Sequence, residues 1–470
     1  AENDTLVETE IVFTRALEYI RDTAMKTLRK SASVSRVSDV QWILTVPAIW
    51  SNYAKSIMLS AAEKAKIKKK GIMDHVVIAT EPECASVVAR KTVDLTKGTK
   101  YIVLDLGGGT ADIACHVAVD DHTVSQIYAP QGGNWGSSYI DEAFFKLLKQ
   151  IFGDALVKEF RSKQPNEWVA LKENFRKAKH NYDGSKSLNV SLGNAFARFV
   201  DKNHDDDMED IVEEFEYDGE TALIELDDDV MEISTRIWDD LFNAVVQPLM
   251  SKTDELLTAP QMAGCKNILI VGGLSQSEFV RNAIRDRYGE ECTISDVTRP
   301  ILAVVEGAAT IGLKPSSVAK WMAAESIGIQ IRRDYDEATD DAGMKKWDNY
   351  SKKYVIDCGF WPLIKKGTPI DPSAPPKIEW FRPWQGKGQT QVKIRLYASD
   401  EEEPYHTREP VEGQKVIDLP VDWKKNEAFP VAYWDKGAEK KLYVAVRDWP
   451  EDEREINVQW NDPLFDDDDL

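Results

Sequence analysis

The stretch of sequence that decides the fold reads Val103-Leu-Asp-Leu-Gly-Gly-Gly-Thr-Ala-Asp112. Its apolar start predicts a buried strand that leads from Asp105 into a turn of three glycines at 107–109. Backbone amides of glycines can surround an anion, because no Cβ keeps the anion away. Thr110 adds a hydroxyl, and the carboxylates at both ends of the turn suit a hydrated Mg²⁺. The glycines alone would also fit a purely structural hairpin turn.

Other segments flank this stretch on both sides and resemble the motifs of one superfamily in their usual order. They are Thr45-Val-Pro-Ala-Ile-Trp50, Glu81-Pro-Glu-Cys-Ala85, Ile270-Val-Gly-Gly-Leu-Ser275, and Arg299-Pro300 leading to Glu306-Gly-Ala-Ala309. Together with the glycine turn they resemble the phosphate, connecting and adenosine motifs of the actin/hexokinase/Hsp70 superfamily. The resemblance covers residues 37–313.

Three segments further along the chain resemble strands of the Hsp70 substrate domain. They are Ser326-Ile-Gly-Ile-Gln330, Leu363-Ile-Lys-Lys-Gly-Thr-Pro369 and Gln391-Val-Lys-Ile-Arg-Leu-Tyr397. Nine of the 14 tryptophans also lie from Trp321 onward. The chain therefore most resembles the divergent 12A/12B-like branch of the Hsp70 family, of the sort found in fungi.

The resemblance implies an α/β fold. We expect an actin-like, Hsp70-type nucleotide-binding domain of two lobes, with the first lobe incomplete, followed by a β-sandwich-like domain. The alternation of short buried strands with helical segments predicts the same α/β class. The expected boundaries are 1–98 for the remnant of lobe I, 99–313 for lobe II with a helical subdomain and acidic insertion at about 143–232, 314–322 for a linker, and 323–470 for a β-rich, Hsp70-like substrate-binding domain with an acidic tail.

The resemblance also assigns roles to individual residues. The expected catalytic residues are Glu81, Asp105, Thr110 and Asp112, of which Glu81 and Asp105 would hold Mg²⁺ through water. The expected nucleotide-binding residues are Gly107, Gly108, Gly109, Thr110, Gly132, Gly133, Lys179, His180, Gly272, Gly273 and Ser275. His180 stands where an arginine usually stacks on the base, and it also fits a plain surface histidine.

Two departures from the family pattern make ATPase activity uncertain. The first phosphate loop, a DxGTT-like hairpin, and the usual catalytic lysine have no match and would precede residue 1. In addition, the polar segment Lys314–Lys320 stands where the family has a hydrophobic linker. Phosphoryl transfer depends on positioning and charge neutralisation. We therefore expect slow hydrolysis to ADP and phosphate only if an upstream loop is supplied.

Three functional hypotheses follow from these patterns. The leading one is an Hsp70-like chaperone that binds ATP or ADP with Mg²⁺, engages unfolded or apolar peptides and works with co-chaperones. The alternative is a non-catalytic interaction or scaffold protein on an actin-like fold, with weak or no nucleotide binding. A small-molecule kinase of the same superfamily is disfavoured by the β-rich region.

Composition narrows the remaining possibilities. A formal net charge of −21 argues against nucleic acid and anionic membranes as partners. The five cysteines show no metal-ligand spacing, which predicts reduced thiols in a cytosolic or nuclear protein, and we expect a cytoplasmic location. The acidic stretch Asp205–Asp210 fits a solvated loop, with Ca²⁺ binding as the other interpretation. The sequence has no Walker A pattern, and its glycine turn leads into a hairpin rather than the helix of a Rossmann motif.

Overall fold

The structure is a computed structural model of the 470-residue chain. It describes residues 6–31, 34–67, 76–93, 95–120, 123–297, 299–314, 318–349, 351–371, 374–382, 390–407, 413–418, 428–435, 440–444 and 454–456. The acidic tail, the end of the lysine-rich stretch after residue 67 and residues 315–317 of the predicted linker lie outside the described residues.

Serine residues cap two of the helices. Ser51 accepts a hydrogen bond from the Ala54 amide at 3.2 Å, and Ser277 caps a later helix in the same way. The helix bounds are α1 Thr9–Ser31, α2 Asn52–Lys64, α3 Glu81–Thr92, α4 Ser137–Phe152, α5 Asp154–Lys163, α6 Pro165–Asn181, α7 Asn194–Asn203, α8 Met208–Glu213, α9 Thr235–Thr258, α10 Glu278–Tyr288 and α11 Pro300–Leu313.

The strands before residue 314 alternate with these helices, whereas those after it follow one another. Their bounds are β1 Trp42–Val46, β2 Val76–Thr80, β3 Lys100–Leu106, β4 Ala111–Ala118, β5 Val124–Gln126, β6 Gln131–Gly133, β7 Leu188–Ser191, β8 Ile224–Asp227, β9 Val230–Ile233, β10 Asn267–Val271, β11 Thr293–Asp296, β12 Val318–Met322, β13 Ser326–Asp334, β14 Lys346–Asp348, β15 Lys353–Ile364, β16 Pro369–Ile370, β17 Lys377–Phe381, β18 Gln391–Ser399, β19 Gly413–Asp418, β20 Phe429–Asp435, β21 Lys440–Val444 and β22 Arg454–Ile456.

The central sheet has eight strands in the order β11-β10-β3-β4-β5-β12-β16, with β6 paired to β4. Strands β11, β10 and β3 are parallel, and β3 and β4 form the antiparallel hairpin predicted around the glycine turn. The pairing sets Val271 at the end of β10 opposite Asp105. Both strands therefore end at the same edge of the sheet.

Alternate residues of the central strands enter two different cores, as a strand period of two requires. Ile102 and Leu104 face a large core that includes the helices α4, α6 and α9. Tyr101 and Val103 face a second core that includes α3 and α11. In the larger core Phe144 stacks on Phe175 with ring centroids 3.9 Å apart. The strand that carries Asp105 is thus clamped between helices on both faces.

The range 1–98, which we expected to be the remnant of lobe I, contains α1, α2, α3 and, among its described residues, a sheet of two parallel strands, β1 and β2. Leu17 of α1 packs on Ala61 of α2, but Tyr19 of α1 is 74% exposed. A two-stranded sheet is marginal without further strands or helices over its faces. The mixed α/β architecture with several sheets is compatible with an actin-like two-lobed fold.

The segment between α6 and α9 differs from the prediction. The sequence pattern predicts helical segments at 142–182 and 230–258, with a strand-like stretch and an acidic loop between them. Instead β7, β9 and β8 form a separate three-stranded sheet, and α7 and α8 lie between its strands. Residues 230–233 form β9 because Met231 and Ile233 are buried alternately with exposed Glu232. The acidic residues 205–207 are exposed, and Asp207 caps α8.

The β-rich region contains a five-stranded sheet, in the order β14-β15-β13-β18-β19, and a four-stranded sheet, in the order β17-β20-β21-β22. One hydrophobic cluster contains residues from both sheets, including Ile329, Leu363 and Val431. The sandwich-like packing of these sheets stays a prediction. Among the described residues, no helix combines the length and the apolar character that crossing a bilayer requires.

Part of the predicted linker is a strand. Residues 318–322 form β12, which pairs with β5 on one side and with β16 on the other. The Met322 amide donates to Gln126 Oε1 at 2.9 Å, and Gln126 Nε2 donates to Glu83 on α3. Burial raises the pKa of Glu83, which also accepts a hydrogen bond from the Trp321 side chain. Buried polar contacts thus fix β12 against the central sheet, at the position where the resemblance predicts a hydrophobic linker.

Replacing Gln126 tests this attachment. Gln126→Ala leaves the Met322 amide and the buried Glu83 carboxyl without their shared partner, so we expect a loss of about 2–3 kcal/mol in the free energy of unfolding. Urea unfolding measures the loss, and limited proteolysis reports any release of residues 318–322. The control is Gln131→Ala, because among the described residues the Gln131 side-chain amide bonds just the nearby carbonyls of Ala129 and Pro130. Equal losses in the two variants would contradict this role of Gln126.

Candidate functional site

The triple-glycine turn rests on the start of α4. Gly107 donates its amide to Thr110 O at 2.9 Å, which closes the turn. The carbonyls of the turn accept amides from the start of α4, in the pairs Gly136 N to Gly109 O at 3.3 Å, Ser137 N to Gly107 O at 3.1 Å, and Ser138 N to Gly108 O at 2.8 Å. Among the described residues, the exposed amides of Gly108 and Gly109 have no acceptor. These two N–H groups are free to bind an anion.

A second glycine bend lies against the end of β3. Gly272 has φ +88, and a Cβ there would be 2.4 Å from Leu106 O and 2.7 Å from Asp105 Oδ1. Only glycine fits this contact without a shift of the backbone. Gly273 follows and is exposed. The two glycine bends therefore follow the ends of two paired strands at one edge of the sheet, where β3 carries Asp105.

Three carboxyl groups gather at this edge. Asp105 is only 5% exposed, and its Oδ2 has no hydrogen-bond partner among the described residues. Asp112 is buried, and its Oδ1 accepts from the Ile49 amide at 3.0 Å. Glu81 is the half-buried first residue of α3. Both aspartates are fixed by strands, and Glu81 by a helix.

Burial raises the pKa values of all three groups, and repulsion by neighbouring carboxylates adds to the rise for Asp105 and Glu81. Burial, then the charges of Glu81 and Asp112, raises the pKa of Asp105 to about 8. Burial and the Asp112 charge raise the pKa of Glu81 to about 7. Burial also raises the pKa of Asp112, against hydrogen bonds from the Thr110 hydroxyl and the Ile49 amide that lower it. Perturbed carboxyl groups at one edge are typical of a functional site.

A cation would relieve this repulsion and satisfy Asp105 Oδ2. Within the described ranges, no three His, Cys, Asp or Glu side chains are grouped closely enough to ligate a metal directly. Magnesium ions keep several of their waters and often bind through few carboxylates. The site therefore fits a hydrated Mg²⁺ held through water by Asp105 and Glu81, and it does not fit a metal cage made of protein alone.

A third glycine segment, Gly132-Gly133, lies beside Asp112. Gly132 and Gly133 belong to β6, where Gly132 pairs with Asp112 and Gly133 with Ala111. Ile49, in the segment that resembles the family's TVPA motif, lies next to Gly132. The structure thus brings together Glu81, Asp105, Thr110, Asp112 and all three glycine segments.

The residues expected around adenosine are nearby but already have partners. Lys179 is buried, donates to Ser137 O at 3.0 Å and forms an ion pair with Asp141. The buried Ser275 hydroxyl donates to Gly272 O at 2.7 Å. His180 is exposed on α6. In the structure Lys179 and Ser275 support the two bends through backbone carbonyls, and His180 has no such contact among the described residues.

Two residues with clear structural roles were missed as site residues. Gly136 must be glycine because a Cβ there would be 2.4 Å from Gly108 O, and the glycine-rich segment at 132–136 was the available signal. Asp141 neutralises Lys179 from a position 38 residues away in sequence. No sequence pattern marks that pair, because only the packing of α4 on α6 brings it together.

The raised pKa values predict that stability falls as pH rises. The folded protein keeps protons on Asp105 and Glu81 that the unfolded chain loses near pH 4, so its free energy of unfolding should decrease between about pH 4 and pH 8. Asp105→Asn removes one of these groups and should flatten the profile, as measured by urea unfolding across that range without divalent cations. The exposed Asp286→Asn is the control. An unchanged slope in Asp105→Asn would be inconsistent with a buried, protonated Asp105.

The chain is similar to several known heat shock proteins. No protein-family model matches the chain. The chain is 26% identical over 398 residues to heat shock 70 kDa protein 12A of Homo sapiens and of Mus musculus, in alignments that cover 72% of this chain and 58% of each relative. It is also 26% identical over 380 residues to heat shock 70 kDa protein 12B of Homo sapiens, covering 68% of this chain and 55% of that protein.

The alignments thus cover less than two thirds of the length of these relatives. The alignments cover about 70% of this chain at 26% identity. This similarity agrees with the resemblance of the motifs at the sheet edge to those of the Hsp70 family, in the same order. The chain is therefore similar to proteins of the Hsp70 family.

Proposed function

We propose that this chain binds ATP or ADP with Mg²⁺ where its two glycine bends meet, and that its β-rich region engages unfolded or apolar peptide segments, as a cytoplasmic Hsp70-like chaperone would. One observation carries the nucleotide half of this proposal. The turn that directly follows β3 has two amides, of Gly108 and Gly109, that have no acceptor among the described residues, and the Oδ2 of Asp105 near the end of β3 is buried with no partner among them. Phosphate oxygens need hydrogen-bond donors such as these amides, and the waters of a bound Mg²⁺ need an acceptor such as this carboxylate oxygen.

Each group then has a place in binding. The amides of Gly108 and Gly109 and the Thr110 hydroxyl hold phosphate oxygens. Asp105 and Glu81 orient the waters of the hydrated Mg²⁺, which supplies charge neutralisation to the phosphates. Asp112 holds the start of β4 against Ile49, and so fixes Thr110. Gly272 and Gly273 give the nucleoside side of the ligand close access to the backbone.

Hydrolysis is proposed to be slow. With its raised pKa, Glu81 or Asp105 can take a proton from an attacking water near neutral pH. The described residues offer phosphate donors on one side only, from the β3–β4 turn. A second phosphate-binding hairpin, supplied in addition, would be needed to enclose the transferred group.

Peptide engagement is supported by a groove in the β-rich region, with a volume of about 410 Å³. Its lining is mostly apolar and includes Leu363, Ile370, Pro375 and Tyr433. Strand β12 connects this region to the central sheet, and Gln126 connects β12 to Glu83, two residues from Glu81. We propose that co-chaperones act on this arrangement.

One observation favours the scaffold alternative. Lys179 and Ser275, which the resemblance assigns to adenosine, already bond Asp141 and Gly272 within the protein. A nucleoside would have to compete for them or bind without them. Weak or absent nucleotide binding is the signature of this second candidate.

Calorimetric titration with ATP–Mg²⁺ separates the two candidates. The chaperone proposal expects measurable binding that weakens at least tenfold in Thr110→Val, because a phosphate contact and the support from Asp112 are both lost. Thr99→Val is the matched control, since the Thr99 hydroxyl contacts Thr96 outside the site. Absence of heat in the wild-type chain would favour the scaffold, and equal binding by both variants would remove Thr110 from the site.

The peptide half is tested with a fluorescent, leucine-rich heptapeptide. Anisotropy should show binding, and Pro375→Asp should weaken it by placing a charge in the groove. Arg382→Asp, which also adds negative charge but lies outside the groove lining, is the control. Undiminished binding by Pro375→Asp would rule out this groove as the peptide site.

A further inference from the structure

Three aromatic side chains lie together at the end of the five-stranded sheet. Trp347 of β14 is directly opposite Tyr354 of β15, and their ring centroids are 4.9 Å apart at an angle of 70°. The Tyr335 amide, just after β13, donates to Tyr354 O at 2.9 Å. We call Tyr335, Trp347 and Tyr354 the aromatic cage. Its members come from three neighbouring segments, so the sheet itself sets their spacing.

The cage already holds an ammonium group from the protein itself. Lys345 Nζ lies 4.5 Å from the centroid of the Tyr335 ring and 4.6 Å from that of the Tyr354 ring. Glu337 Oε1 lies 3.4 Å from the same nitrogen. Two ring faces within 6 Å and one carboxylate are the groups with which proteins recognise alkylammonium ions. The cage therefore has the chemistry of a cation site.

The walls of the cage are fixed by contacts that do not involve Lys345. The Tyr335 hydroxyl donates to Asp340 O at 3.3 Å. The side chain of Asp340 is buried, where it accepts two hydrogen bonds from Arg333, at 2.8 and 2.6 Å, and contacts His406 Nε2 at 2.8 Å. Tyr354 and Trp347 are fixed by strand pairing. Because these ring positions are already fixed, binding a ligand costs little conformational entropy.

The space around the cage is larger than one lysine ammonium requires. The depression has a volume of about 420 Å³. Trp347 and Tyr354 remain 51% and 49% exposed beside it, although Lys345 is in place. Asp334 and Lys353 at the rim pair with each other at 2.6 Å. If the Lys345 side chain moves out of the cage, the Glu337 carboxylate loses its partner. A bound monocation would then neutralise the Glu337 charge in its place.

We propose that the aromatic cage and Glu337 form a binding site for a methylated alkylammonium group, and that Lys345 is a tethered occupant which the ligand displaces. The group could be a free quaternary amine or a methylated lysine of a partner protein, which share this chemistry. Methylation favours the ligand over Lys345, because a methylated ammonium is larger and less strongly hydrated, so it covers more of the exposed rings. The tether makes Lys345 a competitor at high effective concentration.

Saturation-transfer NMR with tetramethylammonium chloride tests this site on the full chain. Lys345→Ala should bind the ion at least tenfold more tightly than the wild type, because the tethered competitor is gone. Adding Tyr335→Leu or, separately, Glu337→Gln to Lys345→Ala should weaken that binding several-fold. Lys352→Ala removes a lysine that lines the depression and has no cation–π contact among the described residues, so it should behave as wild type. Thermal unfolding of each variant shows whether the fold is intact.

Two peptides distinguish the sources of the group, one with a trimethyl-lysine and the same peptide unmodified. Transfer to the trimethyl peptide with Lys345→Ala supports a partner lysine, and transfer to tetramethylammonium alone supports a free quaternary amine. No transfer to any probe with folded Lys345→Ala overturns the proposal. So does transfer that is equally strong when both Glu337→Gln and Tyr335→Leu are added.

Discussion

The close contact between Gly272 and the end of β3 is the constraint on which the candidate site depends. A Cβ at this position would overlap Leu106 O and approach Asp105 Oδ1. Because Gly272 has none, β10 can turn sharply at the point where β3 delivers Asp105. The bend after β10 and the glycine turn after β3 then open at one edge. Without this contact, the two glycine segments would be unrelated turns.

The same contact explains the electrostatics of the site. It helps to bury Asp105 near Glu81 and Asp112, although buried carboxylates are costly without a partner. The raised pKa values of Asp105 and Glu81 reflect this cost. A structure that accumulates acidic groups beside unpaired amides is suited to a ligand with both a cation and phosphates. The stability lost to repulsion would be recovered when that ligand binds.

How much the sequence could predict depended on how local each signal was. The hairpin of β3 and β4 follows from a short pattern, and the structure confirms it. The prediction for residues 183–233 was wrong because the short helices and strands there have weak periodic signals. Tertiary packing decides which of these residues form helix and which form strand. The partners of Lys179 and Met322 could not be predicted, since Asp141 and Gln126 are distant in sequence. The polar composition of residues 314–320 predicted a linker, although residues 318–322 form β12, which is attached through Gln126 to the buried Glu83.

The affinity of Gly272→Ala for ADP–Mg²⁺, compared with that of Gly273→Ala, tests the central claim most directly. A methyl group at 272 would meet backbone within 2.4 Å at a positive φ, whereas one at 273 meets no atom within 4 Å. The account predicts that Gly272→Ala loses binding at least tenfold and unfolds about 2–4 kcal/mol more easily, while Gly273→Ala retains both properties. Wild-type affinity in a folded Gly272→Ala variant would contradict the account.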